Sequence, residues 1–391
     1  MSLGGNRKCA NRDAARWCLA PVLLWSAFAC AADATPERYG DDDFALLEKI
    51  DAHVHLHGAL PEFMKRAQAD GFRLLTINVN YADFPPLNDQ VRDALALQRQ
   101  YPSRIAFAAT FDAAGSDAPD WPARTQRQLD EVLAQGAVAV KVWKDIGMQL
   151  RDRTGRAVMI DDARFVPVFE SLVARGVVVL GHQGEPRNAW LPLEQMTIRG
   201  DREYFAAHPQ YHMFRHPEWP SYDEQLAARD RLLERFPRMK FVGVHLASLE
   251  WDVDRIAEFL ARHPQASVDL AARLVHLQLQ SVADRDKVRK FFLAFQDRIL
   301  YGSDLAGGHN QDDAALAVEA HEAWLADWQF LTGDAFLHSA DFEGRFQGLA
   351  LPRSVIDRIY RDNARRLLPG AWPPTTPAGS GPAAARPGTE P

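Results

Sequence analysis

The chain is poor in the residue that staples small extracellular folds: its 391 residues include three cysteines, Cys9, Cys18 and Cys30. All three lie near the N-terminus, so a form cleaved just beyond them carries no disulfide, and an oxidising compartment is harmless to it. Basic residues form no dense cluster and are outnumbered by acids, 45 to 52, for a formal charge of −7. Phosphate backbones need a clustered basic surface, so nucleic acid is set aside as a partner. No class of residue is strongly over-represented. With 47% hydrophobic, 25% charged and 10% aromatic residues, collagen-like, coiled-coil and wholly disordered chains are excluded.

Apolar runs long enough to span a bilayer are also missing. The nearest candidate, about residues 17–29, follows Arg7, Lys8, Arg12 and Arg16 and leads into Ala27-Phe28-Ala29-Cys30-Ala31-Ala32. A crossing needs about 20 apolar residues, so residues 1–34 read as a secretory signal peptide rather than a retained anchor. Lipidation at Cys30 fits poorly with Phe28 two residues before it. The expectation is a secreted, periplasmic protein with no stable membrane span after cleavage. From residue 369 onward Pro, Ala, Gly and Thr dominate, which predicts a disordered tail over 369–391 and a folded domain over 35–368.

What the chain does have is an alternation. Apolar or β-branched runs at 49–56, 73–80, 105–112, 137–144, 177–184, 240–247, 266–273 and 299–306 are separated by segments of helical spacing. The helical segments include 87–101, 122–135, 163–175, 222–236, 250–262 and 285–295. This pattern predicts an α/β fold, a (β/α)8 TIM barrel. An open doubly wound sheet usually has a glycine-rich phosphate loop after its first strand, and none follows Leu56.

Barrel enzymes carry their chemistry at the C-terminal ends of the strands. Here the first run ends in His53-Val54-His55-Leu56-His57 and the fourth contains Lys141 and ends in Trp143 and Lys144. The fifth contains His182, the sixth His245, the seventh Arg273 and the eighth Asp304. His53 and His55, two apart on a strand, point the same way, into the barrel. Two convergent neutral imidazoles suit a divalent transition metal, and a catalytic zinc keeps a position for water. His182 and Asp304 can complete such a set from across the barrel. A lone histidine is more often a satisfied core or surface residue, but that explanation does not extend to a set at successive strand ends.

Asp51-Ala52-His53-Val54-His55, the histidines of the fifth and sixth runs, and Gly302-Ser303-Asp304 together resemble the amidohydrolase superfamily. The resemblance spans roughly residues 50–368. Within the superfamily the similarity is to the amidohydrolase-related branch of metal-dependent hydrolases, lactonases and aromatic-acid decarboxylases. It implies that His53, His55 and His182 ligate metal, and that Asp304 binds it or handles the proton of its water. His245 becomes a further ligand or the group that polarises the substrate. Lys141 sits where some members carry a carboxylated lysine bridging two metals, although the nearer branch manages with one. Pairing with a neighbouring strand or a substrate carboxylate remains open for Lys141, because a buried lysine without an acidic partner is costly when charged. Zinc is the first expectation, with manganese, iron or cobalt accepted by the same ligands. The reaction implied is attack of metal-activated water on an acyl C–N or C–O bond, with Asp304 moving the proton. Non-oxidative decarboxylation of an aromatic or unsaturated acid reuses the same ligands. A binding protein that has lost catalysis is the reading from another class.

Two insertions frame this face. Residues 185–221 far exceed the usual connection of about 2–6 residues and hold Trp190, Tyr204, Phe205, Tyr211, Phe214 and Trp219 beside Arg187 and Arg215. They read as a lid or pocket wall for a ring- or carboxylate-bearing substrate, a separate aromatic mini-core being the alternative. Arg273 and Arg187 are candidates for holding a substrate anion, with Trp143 and Lys144 beside them; the plain alternative for Arg273 is a salt bridge to Asp269 or Asp304. Residues 307–353, with Trp324, Trp328 and Phe330, are expected to extend a helix and pack over the mouth or against a partner subunit, which leaves a homo-oligomer open.

Overall fold

The computed structural model describes residues 38–309 and 311–373. The expected leader, residues 1–34, lies outside them. Eight strands follow one another around the sheet with every neighbour parallel: β1 (Lys49–Leu56), β2 (Phe72–Ile77), β3 (Ile105–Thr110), β4 (Ala139–Val142), β5 (Val178–Gly181), β6 (Phe241–Gly243), β7 (Ala266–Asp269) and β8 (Ile299–Leu300). A ninth short strand, β9 (Ala306–Gly307), pairs with β1. The eighth sequence run is therefore one strand interrupted at residues 301–305. The N–H groups of Ala52, His55 and His57 donate to the carbonyls of Tyr301, Leu305 and Gly307, so the two pieces close the cylinder between β7 and β1. The (β/α)8 expectation holds.

The crossover helices are α1 (Pro61–Ala69), α2 (Leu87–Gln100), α3 (Trp121–Ala134), α4 (Val166–Ala174), α6 (Tyr222–Arg235), α7 (Val253–Arg262), α8 (Leu274–Phe295) and α9 (Asp313–Thr332), with α5 (Arg199–Ala207) inside the first insertion. Proline stands in the first turn of α1, α3 and α4, where the missing N–H has no partner to lose. A Ser221–Glu224 capping box starts α6.

Side chains inside the cylinder and those facing the helices form separate cores, and β1 changes sides between them. Ile50 and Ala52 belong to the interior cluster with Leu75, Ile77, Ala106 and Val242, whereas Val54 and Leu56 pack outward with Leu60 and Phe63. A break in register between Asp51 and Val54 makes the switch. It turns Asp51 outward and His53 and His55 inward. Ala371 and Trp372 also pack into the interior cluster, so the folded chain extends beyond the tail boundary expected at residue 369.

The second insertion fits its expectation in part: it forms a helix and its Asp341 lines the cavity at the strand ends, but the helix itself packs elsewhere. Helix α9 does not cover the mouth: Trp324 stacks on Phe72 at 4.2 Å between ring centroids and also touches Phe63 of α1. Its apolar stripe, Leu316, Ala320, Trp324, Trp328 and Leu331, is buried, which makes α9 the outer helix of the eighth repeat. Beyond it, β10 (Phe336–His338) and β11 (Arg345–Gln347) form a hairpin whose loop residue Asp341 accepts the N–H groups of Arg199 and Gly200. Among the described residues no helix is long and apolar enough to cross a membrane.

Trp324 joins both layers, because its indole N–H donates to Asp51 at 2.9 Å. Replacing it with alanine opens a cavity and removes a donor from a buried carboxylate. Trp324→Ala is expected to lower the unfolding free energy by about 3–5 kcal/mol, read by urea denaturation; a loss under 1 kcal/mol would contradict this packing.

Candidate metal centre and its cavity

Three imidazoles are oriented before any ligand arrives. The Nδ1 of His53 lies 2.8 Å from Asp269 Oδ2, that of His55 2.7 Å from the Ile77 carbonyl, and that of His245 2.9 Å from the Ala271 carbonyl. A carbonyl or ionised carboxylate can only accept, so each Nδ1 carries a proton, and a ring in its neutral form presents a bare Nε2. The Nε2 atoms of His53 and His55 each stand 3.3 Å from Asp304 Oδ1. The ligating atoms of His53, His245 and Asp304 lie within 4.8 Å of one another. Acceptors that face one another at such distances repel unless a cation stands among them. Imidazole nitrogens backed by a carboxylate or carbonyl, with one carboxylate oxygen, are the donor set of a divalent metal, and the residues fit it.

Burial favours the neutral form of three of the histidines at this rim. Burial holds His182 and His245 well below the ordinary imidazole value and lowers His53, where Lys141 adds to the effect. Burial alone would raise the Asp304 carboxyl, but attraction to His245, His53 and His55 in their protonated forms outweighs it and keeps it well below the usual range. Burial brings the Lys141 ammonium down to about 8, against the pull of Asp269 and Asp304. Its Nζ lies 3.3 Å from His53 Nε2, at the edge of the set.

His182 is also at this rim, though less constrained. Its ring centroid is 4.4 Å from that of His245, the edge of Trp143 meets it at 5.1 Å, and neither of its buried nitrogens has a hydrogen-bond partner. Its Nε2 is 3.7 Å from Glu185.

Backbone strain is concentrated here. His245, Leu246, Ala247 and Ser248 all have φ near +56°, and Asp304 has φ +72°. Only glycine enters that region without cost. The 245–248 turn is held by α6, where Arg229 donates to the Ala247 carbonyl and the Tyr222 hydroxyl to that of Ser248. Asp269 accepts the His245 N–H at 2.6 Å, and the Asp304 N–H donates to His53 O at 2.8 Å.

Over the imidazoles opens a cavity of about 450 Å³. Its walls include Tyr81, Phe84, Trp143, Tyr204 and Phe205, with Lys144 and Arg273 as cations. Lys144 is not a mouth residue in solvent: it is buried, paired with Glu185 and 4.2 Å from the centre of the Tyr211 ring. Arg273 pairs with neither Asp269 nor Asp304. Its Nη1 is 3.9 Å from Asp201 on α5, and its buried Nε has no partner. Arg187 is a correction: its guanidinium lies 4.1 Å over Trp251 and its N–H donates to Glu250, away from the residues lining this cavity. The first insertion is both wall and small core. Phe205 lines the cavity while packing with Met148, Met196, Tyr211 and Met213. The insertion's histidines are structural: His208 stacks on Tyr204, His216 stacks on Trp219, and His212 Nε2 bonds the Leu191 carbonyl.

Three acids were not singled out as site residues from the sequence: Asp269, which joins His53 to His245, Glu185, and Asp201. Asp269 lies in the middle of the seventh run, 266–273, and only the shorter observed strand, Ala266–Asp269, puts it at a strand end, where barrel chemistry gathers.

Purified protein is expected to hold about one equivalent of divalent metal, lost in His53→Ala and bound about 10–100-fold more weakly in Asp269→Asn. Elemental analysis and chelator competition read both. Full metal content in His53→Ala contradicts the centre, and a second equivalent lost in Lys141→Ala indicates a two-metal site.

Comparison with solved structures finds a TIM-barrel protein from Bordetella bronchiseptica at 16% identity and TM-score 0.50, over 83% of this chain and 99% of that one. That likeness supports the barrel. Also similar are a probable 2-pyrone-4,6-dicarboxylic acid hydrolase from Acinetobacter baumannii (13% identity, 82% of this chain and 99% of that one, TM-score 0.45) and a 2,6-dihydroxybenzoate decarboxylase from Rhizobium (14%, 81% and 98%, TM-score 0.45). No curated protein sequence matches the chain. The profile of the amidohydrolase family matches residues 50–370, most of the described chain and every residue of the candidate centre, and the protein belongs to that family.

Proposed function

We propose that the protein is a metal-dependent hydrolase that cleaves an amide, ester or lactone acyl bond in a small substrate bearing a ring and a carboxylate. The observation that carries the reading is the set of Nε2 atoms and Asp304 oxygen meeting at the floor of a cavity whose wall holds two cations, Lys144 and Arg273, among its carboxylates. His53, His55, His245 and Asp304 would hold the ion, with His182 beside them; zinc suits the nitrogen and oxygen donors best. When bound, the ion supplies Lewis acidity, which brings the pKa of water toward neutrality and polarises the carbonyl under attack.

The residues perform the rest. Asp304, kept ionised, accepts the proton of the attacking water and returns it to the departing nitrogen or oxygen. His245 acts on the ligand side of its two options, because its only N–H is given to the Ala271 carbonyl and none remains for an oxyanion. Arg273 holds the substrate carboxylate through its unpaired Nε, and Tyr81, Phe84 and Trp143 flank the ring. The leader read in residues 1–34 is the sole basis for inferring a periplasmic site of action.

The test is a screen of lactones, amides, esters and aryl carboxylates in ¹⁸O-water. Label in the product carboxylate supports hydrolysis. Carbon dioxide release without label replaces it with decarboxylation, and tight ligand binding without turnover leaves only a binding protein. With a turned-over substrate, Arg273→Met is expected to raise KM about 10–100-fold at unchanged metal content. An unchanged KM removes Arg273 from the anion site.

A further inference from the structure

A second cavity, of about 360 Å³, adjoins the first, and Phe84 and Ala306 belong to the walls of both. The Phe84 ring lies 5.2 Å from His55, which lines the first cavity, and 4.6 Å from His57, which lines the second. One aromatic side chain therefore partitions the space beside β1.

The two compartments differ in their cations. The first contains Lys144 and Arg273 among the carboxylates Glu185, Asp201, Asp304 and Asp341, whereas the second is lined by His57, Asp83, His309 and Gln311 with no lysine or arginine among the described residues. His57 is 3% exposed, yet neither of its ring nitrogens has a hydrogen-bond partner. Most imidazoles buried so deeply are satisfied. A neutral ring offers one N–H and one lone pair, the complement of a hydroxyl or an amine. The Nε2 of His309 is tied to Asp93 at 2.9 Å. Its ring fills the space over Gly58, where a Cβ would stand 2.4 Å from it, so this wall is built with His309 in place.

We propose that this second cavity is a binding site for a small alcohol or amine, the group released from the acyl carbon, with His57 as its hydrogen-bonding partner and Phe84 as the partition. It rests on the hydrolase reading for the origin of its ligand, though not for its existence. A wall without a fixed cation disfavours the carboxylate product, which stays with Arg273.

Full-length protein with ¹⁵N-labelled histidine is titrated in turn with 1-propanol, n-propylamine hydrochloride and acetate, and the His57 ring signals are assigned by their loss in His57→Gln. A saturable shift with the alcohol or the amine in the millimolar range, and none with acetate, is expected. The responding probe names the bond type. If His57→Gln does not fold, Overhauser contacts between the probe and the Phe84 ring report the same occupancy. No shift with any probe, a response to acetate alone, or equal linear drift with all three overturns the site. Because no turnover is needed, a His57 response without ¹⁸O incorporation removes the hydrolase and leaves the cavity, while labelled product without a response does the reverse.

Discussion

Everything at the catalytic rim depends on one mismatch: the bare nitrogens of His53 and His55 each look at the same oxygen of Asp304 across 3.3 Å. Neutral imidazole nitrogen and ionised carboxylate are both acceptors, and the one cation already beside them is the Lys141 ammonium, 3.3 Å from His53 Nε2. The protein enforces the arrangement from behind. Asp269, Ile77 and Ala271 each take the Nδ1 proton of one ring, which fixes the tautomers and prevents the rings from turning away. A fold that holds acceptors together in this way is organised around a positive charge. Lys141 stands at the edge of the group, beside His53, and burial already weakens its ammonium.

Holding that geometry requires backbone conformations that ordinary residues avoid. Left-handed φ costs about 1–2 kcal/mol per non-glycine residue, and four consecutive residues from His245 adopt it. Such a turn persists only where its surroundings over-determine it. Here they do: two α6 side chains take its carbonyls, Ser248 Oγ donates to Gly184 O at 2.8 Å, and Gly243 leaves room for Ala247, which a Cβ there would meet at 2.5 Å. The register break in β1 does comparable work by a different route. It lets Asp51 face outward to Ser303 and Trp324 while His53, two residues on, faces inward. One short segment thereby ties the outer helix, the closing strand and the metal face together.

These devices separate what could be read in the sequence from what could not. Alternating runs and strand-end histidines carry the barrel and the polar rim, because hydrophobic period and chemical type are local properties. Strict alternation, however, places Asp51, His53 and His55 on one face, and only pairing with β2 and Tyr301 reveals the switch. Run lengths likewise overstate the strands. The sixth is three residues long in the sheet, since His245 already belongs to the left-handed turn, and the eighth is cut so that Asp304 can turn inward. Arg187 and Arg273 are indistinguishable by type. Trp251 takes one and Asp201 the other, and neither contact has a signature in spacing.

The last of those contacts ties the aromatic insertion to the strand ends. A buried guanidinium without a counter-charge is strongly destabilising, so Arg273 needs an acid when no substrate is present. Asp201 supplies it from α5, and its carboxylate is also engaged by Asn188 at 2.8 Å and His276 at 3.2 Å. At 3.9 Å from Arg273, the shared carboxylate pairs loosely and leaves Nε unclaimed. Lys144 is different, since its contact with Glu185 is close and it is enclosed by Tyr211 and Trp143. Of the two cations in the wall, Lys144 is closely paired and Arg273 only loosely. The barrel strands thus place the candidate ligands, and the insertion supplies the acids that face the two cations, Glu185 close to Lys144 and Asp201 farther from Arg273.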